Sequence, residues 1–286
     1  MGDTSATRTL WLRIMMIRSL FLSLSLAGAA FGVWVVSATD VRTEPLPLVI
    51  IDPGHGGADL GATGITGIFE KDIVLDFAKS LKKQLEKRGS IRVLLTRDRD
   101  VFLSLEDRVR LTRKQNGTVF LSIHADTITA TADIRGVTIY TGDDRPSDAG
   151  AARLAEAENR ADIGLTTPEA KIATSVNDIL GDLMLRETRA HSILLAQELA
   201  ARIADVVQLN RNPVRAAGFR VLRAPDIPSV LIEIGYLSSK NDIDLLTSSD
   251  WRDRTSERLA AGIAEFIART RVNAADRKST RLNSSH

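Results

Sequence analysis

From residue 47 onward, short runs of consecutive apolar residues alternate with longer segments of helical periodicity. The run LVII at 48–51 is followed by KDIVLDFAKSLKKQLEKRG at 71–89, whose apolar residues recur at the three- and four-residue spacing of a helix. Further apolar runs lie at 118–126 and 229–237. Strands that are apolar throughout are buried on both faces. The pattern therefore predicts a single α/β domain, with a twisted, mostly parallel sheet and helices on both faces.

Residues typical of helix starts and helix ends indicate where the predicted elements begin and end. Gly89 ends the first helix, and Ser104 stands where a helix N-cap is expected. We expect the remaining strands at 91–97, 135–142 and 219–224, and the remaining helices at 104–117, 147–163, 171–207 and 250–272. Residues 143–190 are too long for a simple crossover between strands, so we predict a helical insert there.

The first 46 residues have a composition of their own. Three arginines precede an apolar run from Leu20 to Val36, which leads into the small residues VSA at 36–38. This is the order of a secretory signal, so we predict a signal peptide at 1–38 and a linker at 39–46. An uncleaved membrane anchor is the alternative. Both interpretations place the globular part outside the cytoplasm, in the periplasm or cell envelope.

Composition excludes several functions. The net charge of +2 with 26% charged residues supplies no broad basic face for nucleic acid. The chain has no cysteine, which excludes disulfides, thiolate nucleophiles and cysteine–zinc sites. A metal ion would therefore need histidine, aspartate or glutamate ligands. The last stretch, 273–286, is polar and lacks periodicity, and we predict a disordered or non-native tail after a catalytic domain at 47–272.

Titratable side chains stand where the predicted strands end. His55 follows the first strand, His124 lies in SIHAD, Glu233 lies in SVLIEIGYL, and Glu70 opens the first helix. Ligands of open α/β sheets bind at the carboxyl ends of the strands, so we expect these side chains to lie together at one edge of the sheet. Each alone has an ordinary structural interpretation, but a buried carboxylate without a partner is costly. Two imidazoles and two carboxylates form a hydrolytic zinc composition, with an open position for water and a carboxylate to take its proton.

The motifs VIIDPGHGG, EKD, SIHAD and LIEIGYLSSKND, in this order, resemble those of the zinc-dependent N-acetylmuramoyl-L-alanine amidases of the amidase-3 class. These are cell-division amidases of Gram-negative bacteria and their sporulation relatives. The resemblance implies that His55, Glu70 and His124 bind zinc and that Glu233 is the catalytic base. It also implies hydrolysis of the peptidoglycan amide between N-acetylmuramic acid and L-alanine. Asp52 is a candidate to orient a ligand imidazole, although a turn-forming aspartate fits equally well.

The insert at 143–190 corresponds to the segment where regulated members of the class carry an inhibitory helix. The resemblance implies that Glu158, in the stretch AEN, contacts the zinc ion, with Glu156 as the second choice. An ordinary solvated helix face is the alternative. The resemblance further implies that a LytM-domain activator displaces this helix in the periplasm. We expect the protein to be a monomer.

Two other functions stay open at this point. Another zinc peptidoglycan hydrolase, such as a carboxypeptidase or a deacetylase, would use the same ligands, because ligands do not specify the bond that is cleaved. A non-catalytic wall-binding module is the alternative of a different class. Such a module has no use for a buried base at Glu233.

Overall fold

A six-stranded sheet between two layers of helices forms the fold of the computed structural model, which describes residues 45–127, 135–163, 165 and 179–283. The strands are β1 (Leu48–Pro53), β2 (Arg92–Leu95), β3 (Val119–His124), β4 (Val137–Gly142), β5 (Leu209–Ala217) and β6 (Ser229–Glu233). The helices are α1 (Glu70–Glu86), α2 (Leu105–Lys114), α3 (Ala149–Glu158), α4 (Ile179–Ile203), α5 (Lys240–Leu246) and α6 (Ser249–Asn283), with a short 3-10 helix at Arg220–Leu222.

The strand order β2-β1-β3-β6-β4-β5 divides the sheet into two parts. The first four strands are mutually parallel, whereas β4 runs antiparallel to β6 and carries β5 parallel to itself. The carboxyl ends of β1, β3 and β6 therefore share one edge of the sheet. Register brings His124 at the end of β3 directly beside Glu233 at the end of β6.

Alternate residues of β1 contribute to opposite cores. Val49 and Ile51 belong to a cluster with apolar residues of α1, α4 and α6. Leu48 and Ile50 belong to a second cluster with residues of α2, α3 and the 3-10 helix. Because both faces are covered, the strand is apolar throughout, as in other sheets of this kind. The predicted α/β fold, mostly parallel with helices on both faces, is confirmed.

The strand expected at 219–224 is wrong. That stretch contains the 3-10 helix Arg220–Leu222, and the strand lies just before it as β5. Within the described residues β5 pairs only with β4, at the edge of the sheet, and its sequence LNRNPVRAA is half-exposed and includes a proline. An edge strand of this composition carries no apolar run to reveal it.

The predictions for the two ends of the chain, a signal peptide with a linker and a C-terminal tail, have different outcomes. The helix α6 continues to Asn283, beyond its expected end at 272 and into the segment predicted to be a tail. The native origin of that segment stays a prediction. The expected signal peptide at 1–38 and most of the linker at 39–46 lie outside the described residues. In the part of the chain that is described, every helix is too short or too polar to span a membrane.

Candidate metal centre

Two imidazoles and two carboxylates meet at the carboxyl edge of the sheet. His55 follows β1, His124 ends β3, Glu70 is the first residue of α1 and Glu158 is the last residue of α3. The Nε2 atom of His55 lies 3.1 Å from Oε2 of Glu70 and 3.6 Å from Oε2 of Glu158. The Nδ1 atom of His124 lies 3.1 Å from Oε1 of Glu70 and 3.2 Å from Oε2 of Glu158. All four side chains are buried.

The spacing of these donor atoms fits a metal ion. One atom each from His55, His124 and Glu158 lies within 4.8 Å of the others. Ligand atoms of a four-coordinate zinc ion with bonds of about 2.0–2.1 Å stand roughly 3.3 Å apart, close to the distances found here. The Nε2 atom of His55 is buried without a hydrogen-bond partner, although a carboxylate oxygen lies 3.1 Å away. A cation bound between these atoms would account for that arrangement.

The two carboxylate oxygens of Glu70 face different imidazoles. Its Oε1 faces His124 and also accepts the backbone N–H of Ala125 at 2.8 Å. Its Oε2 faces His55 and accepts the backbone N–H of Ala62 at 2.9 Å. These bonds fix the carboxylate, and the ligand role of Glu70 stays a prediction.

Charges around the site favour a cation. Burial lowers the pKa of His55, but the carboxylates of Glu70 and Glu158 outweigh burial and hold this pKa well above its ordinary value. His124 also has a raised pKa, because Glu158 and Glu70 again outweigh burial. The carboxylates therefore favour positive charge at both imidazoles. A divalent cation can supply the same positive charge.

Glu233 lies beside this cluster with one oxygen free. Its Oε2 accepts the backbone N–H of Asp126 at 3.0 Å, whereas its Oε1 is buried without a partner. Burial, together with the charges of Glu70 and Asp126, raises the pKa of Glu233 well above its ordinary value. Because it pairs in register with His124, its side chain lies on the same face of the sheet as that imidazole. A free oxygen in this position suits a general base, the role that the family resemblance implies for Glu233, and that role stays a prediction.

His55 has an uncommon backbone conformation, and its ring is oriented by a residue that sequence reasoning missed. Its φ of 58° lies in the left-handed region, which few non-glycine residues adopt. Its Nδ1 lies 2.9 Å from Oδ2 of Asp59, and Oδ1 of Asp59 accepts the backbone N–H of Gly61 at 3.1 Å. A carboxylate on Nδ1 leaves Nε2 available as a metal ligand and fixes the ring. The spacing in HGGAD was the available signal.

Asp52 does not orient an imidazole. Its buried carboxylate accepts hydrogen bonds from Thr96 Oγ1 at 2.5 Å, Arg108 Nη1 at 2.6 Å and Ser122 Oγ at 2.8 Å. Burial raises the pKa of Asp52, but the Arg108 charge and these hydrogen bonds outweigh burial and lower it. The interpretation of Asp52 as a partner of a ligand histidine is therefore wrong. It holds together the strands and the helix behind the site.

Two glycines allow the side chains of the site to pack against the backbone. A methyl group on Gly54 would stand 2.5 Å from Cε1 of His124, which is a steric clash with the imidazole ring. One on Gly61 would stand 2.6 Å from Cδ2 of His55 and 2.7 Å from Oε2 of Glu70, and Gly61 also has a φ of 65°. Any larger residue at Gly54 would displace the imidazole of His124, and any larger residue at Gly61 would displace the side chains of His55 and Glu70.

The two glutamates of α3 are placed differently. Glu158 is 7% exposed and faces both imidazoles, whereas the Glu156 side chain is 64% exposed and forms an ion pair with Arg160. Of the two residues considered from sequence, the structure brings only Glu158 to the site. Its inhibitory role stays a prediction.

Both ends of α3 are fixed to the region around β5. At its start, Asp148 caps the helix and forms an ion pair with Arg215 of β5. At its end, Asn159 donates from Nδ2 to the carbonyl of Gly218 at 2.9 Å and accepts the N–H of Arg220 at 2.7 Å. These contacts hold Glu158 against the imidazoles.

We expect Asp59→Asn to weaken metal binding by about 10- to 100-fold, the usual effect of losing a group that orients a ligand histidine. Asparagine keeps the shape of the side chain but removes the charge that favours the proton on Nδ1 of His55. Competition with a chromophoric chelator measures the affinity. Asp98→Asn, an exposed aspartate, is the matched control. Equal affinities in Asp59→Asn and the parent protein would contradict this role.

Comparison with known proteins identifies the family of this chain. Residues 49–265 match the Amidase_3 family, described as N-acetylmuramoyl-L-alanine amidase. The chain is 33% identical to N-acetylmuramoyl-L-alanine amidase AmiC of Escherichia coli and 36% identical to AmiC of Neisseria meningitidis, in each case over 230 residues. Each alignment covers 79% of this chain and 54% of the relative, so the chain spans about half the length of these AmiC proteins.

A solved structure gives the same result for the fold. The catalytic domain of CwlV, an N-acetylmuramoyl-L-alanine amidase from Bacillus (Paenibacillus) polymyxa var. colistinus, superimposes with a TM-score of 0.58 at 26% sequence identity. The match covers 78% of this chain and 98% of that domain. The resemblance noted in the sequence motifs is confirmed, and the chain belongs to the Amidase_3 family of N-acetylmuramoyl-L-alanine amidases.

Proposed function

We propose that the protein is a zinc-dependent peptidoglycan hydrolase that cleaves the amide between N-acetylmuramic acid and L-alanine. The observation that carries this proposal is the convergence of His55, His124 and two carboxylates beside Glu233, whose second oxygen is buried and free. Family membership supplies the bond that is cleaved. An exported protein of the periplasm or cell envelope, acting as a monomer, is consistent with this substrate.

The residues divide the chemistry between them. His55, Glu70 and His124 would hold the zinc ion, which when bound activates water and polarises the substrate carbonyl. Glu233 removes a proton from the attacking water and delivers it to the departing nitrogen of L-alanine. A C–O bond forms and the amide C–N bond breaks, which leaves a lactyl carboxylate on the glycan and a free amine on the stem peptide.

We propose that α3 inhibits this activity. Glu158 lies 3.2 Å and 3.6 Å from the two histidine nitrogens that face the site, so it occupies the side from which substrate and water would approach the metal. A LytM-domain activator would displace α3 and withdraw Glu158. The contacts at both ends of the helix support this proposal, because a partner would have to break them to displace α3.

Zinc content together with digestion of purified sacculi tests the proposed function. We expect about one zinc ion per chain, loss of activity with a strong chelator and recovery on adding zinc. Digestion should release intact stem peptides and leave lactyl ends on the glycan, seen by mass spectrometry. Release of single terminal amino acids would indicate a carboxypeptidase, and release of acetate a deacetylase. Binding to sacculi without any product, from Glu158→Ala as well as the parent, would contradict an enzyme.

A further inference from the structure

Two buried arginines bind the backbone of the turn that carries His55. Arg108 donates from Nη1 to the carbonyl of Pro53 at 2.8 Å and from Nη2 to the carbonyl of His55 at 2.8 Å. Arg97 donates from Nε to the same Pro53 carbonyl at 3.0 Å and from Nη2 to that of Gly54 at 2.7 Å. Three consecutive carbonyl groups are thus held by two guanidinium groups.

One of these guanidinium groups also connects two parts of the site. Nη2 of Arg97 donates to the carbonyl of Lys71 at 2.9 Å in addition to that of Gly54. Lys71 follows Glu70 in the first turn of α1, and Gly54 precedes His55. A single nitrogen therefore links the backbone next to one carboxylate of the site with the backbone next to one imidazole. Neither contact involves the side chain of Glu70 or of His55.

Stability alone does not account for this pair. Both arginines are 3% exposed, and the buried carboxylate of Asp52 forms its ion pair with Arg108. Burial and the neighbouring charge of Arg108 lower the pKa of Arg97 to about 10. Two like charges in a buried place are costly, and apolar residues of similar size commonly replace such groups without loss of stability. The planar guanidinium group offers several donors in fixed directions, which a set of carbonyl groups in a turn requires.

The turn needs such support because of its backbone. His55 adopts a left-handed φ of 58°, between Gly54 and Gly56, and glycines let neighbouring backbone settle in many conformations. Asp59 fixes the imidazole ring but not the carbonyl of His55. The bonds from Arg108 and Arg97 fix that carbonyl and the two before it, so they set the direction in which the side chain leaves the backbone.

We infer that Arg97 and Arg108 are positioning residues of the metal centre, which hold the His55 turn and the start of α1 in the arrangement that binds the ion. This inference rests on the proposed function only in that the bound ion is zinc. The arginines bind the backbone of these two segments and so act through His55 and Glu70.

Lysine variants test this inference. In Arg108→Lys and Arg97→Lys the charge stays, but one ammonium group cannot reach all the carbonyl groups that the guanidinium group binds. We expect zinc affinity, measured by chelator competition, to fall about 10- to 100-fold in each variant, as for other supports of metal ligands. The visible absorption spectrum of the cobalt-substituted protein should also change. Arg110→Lys is the matched control, because Arg110 lies on α2 as Arg108 does but is exposed and pairs with Asp107.

The outcomes separate the two proposals. If the parent protein binds no zinc, the proposed function fails. If the parent binds zinc and both lysine variants match it in affinity and in cobalt spectrum, the positioning role is overturned. A lower melting temperature of the metal-free variants with unchanged affinity and spectrum would also overturn it, since that marks a purely structural role. If Arg108→Lys does not fold, Arg97→Lys decides by the same measurements.

Discussion

Glu233→Gln is expected to lower the rate of peptidoglycan hydrolysis by about 10²- to 10⁴-fold while the zinc content stays unchanged. Glutamine keeps the volume of the side chain and the oxygen that accepts the N–H of Asp126. It loses the free Oε1, the atom available to take a proton from water. The loss should appear in kcat, because proton transfer belongs to the chemical step and not to substrate binding.

Two variants make this result specific. Glu257→Gln replaces an exposed glutamate of α6 and should behave as the parent protein does. His124→Ala should lose both activity and zinc, which separates removal of the base from removal of a metal ligand. The experiment is best done in the Glu158→Ala background, where hydrolysis is expected to be measurable without an activator. Full activity of Glu233→Gln would exclude it as the base.

Glu158→Ala is expected to raise activity on purified sacculi by about 10- to 1000-fold without an activator. In the proposed inhibited state Glu158 blocks the site, and only a minor form of roughly 0.1–10% of molecules is active. If every molecule becomes active, the activity rises by the inverse of that fraction. Alanine removes the carboxylate that faces His55 and His124 but keeps the helix, since alanine has the best helix propensity. Initial rates of dye release from labelled sacculi measure the effect.

Glu156→Ala is the matched control, two residues away on the same helix. Its side chain is exposed and pairs with Arg160, so its activity should equal that of the parent protein. A fall in activity of Glu158→Ala, accompanied by loss of zinc, would make Glu158 a required ligand and contradict inhibition. Equal activity of both variants and the parent would leave α3 without a regulatory role.

Several site residues could be predicted because they stand at the ends of recognisable strands. The apolar runs before His55 and around Glu233 identify buried strands, and parallel strands bring their carboxyl ends together. That argument brings His124 and Glu233 to the same edge of the sheet, and the register of β3 and β6 then places them side by side. Glu158 was different, because only the resemblance to regulated amidases distinguished it from other acids of the insert.

The supporting residues were not predictable by the same argument. Asp59, Arg97 and Arg108 act through contacts between loops, helices and carbonyl groups that no periodicity records. For Asp52, sequence gave two interpretations, but its partners Thr96 and Ser122 lie 44 and 70 residues away in the chain. The same limit applies to β5, whose polar edge sequence resembles a loop until its partner strand is known.

The central position of β3 and β6 determines how proteins with this site can diversify. His124 and Glu233 are fixed by the backbone ladder between two neighbouring strands, with β1 on one side and β4 on the other. The loops and helix ends that surround them belong to other segments of the chain, and such segments tolerate insertions and replacements. The surrounding loops can therefore change, and with them the preferred peptide or the mode of control, while the ladder keeps the distance between His124 and Glu233, the proposed ligand and base.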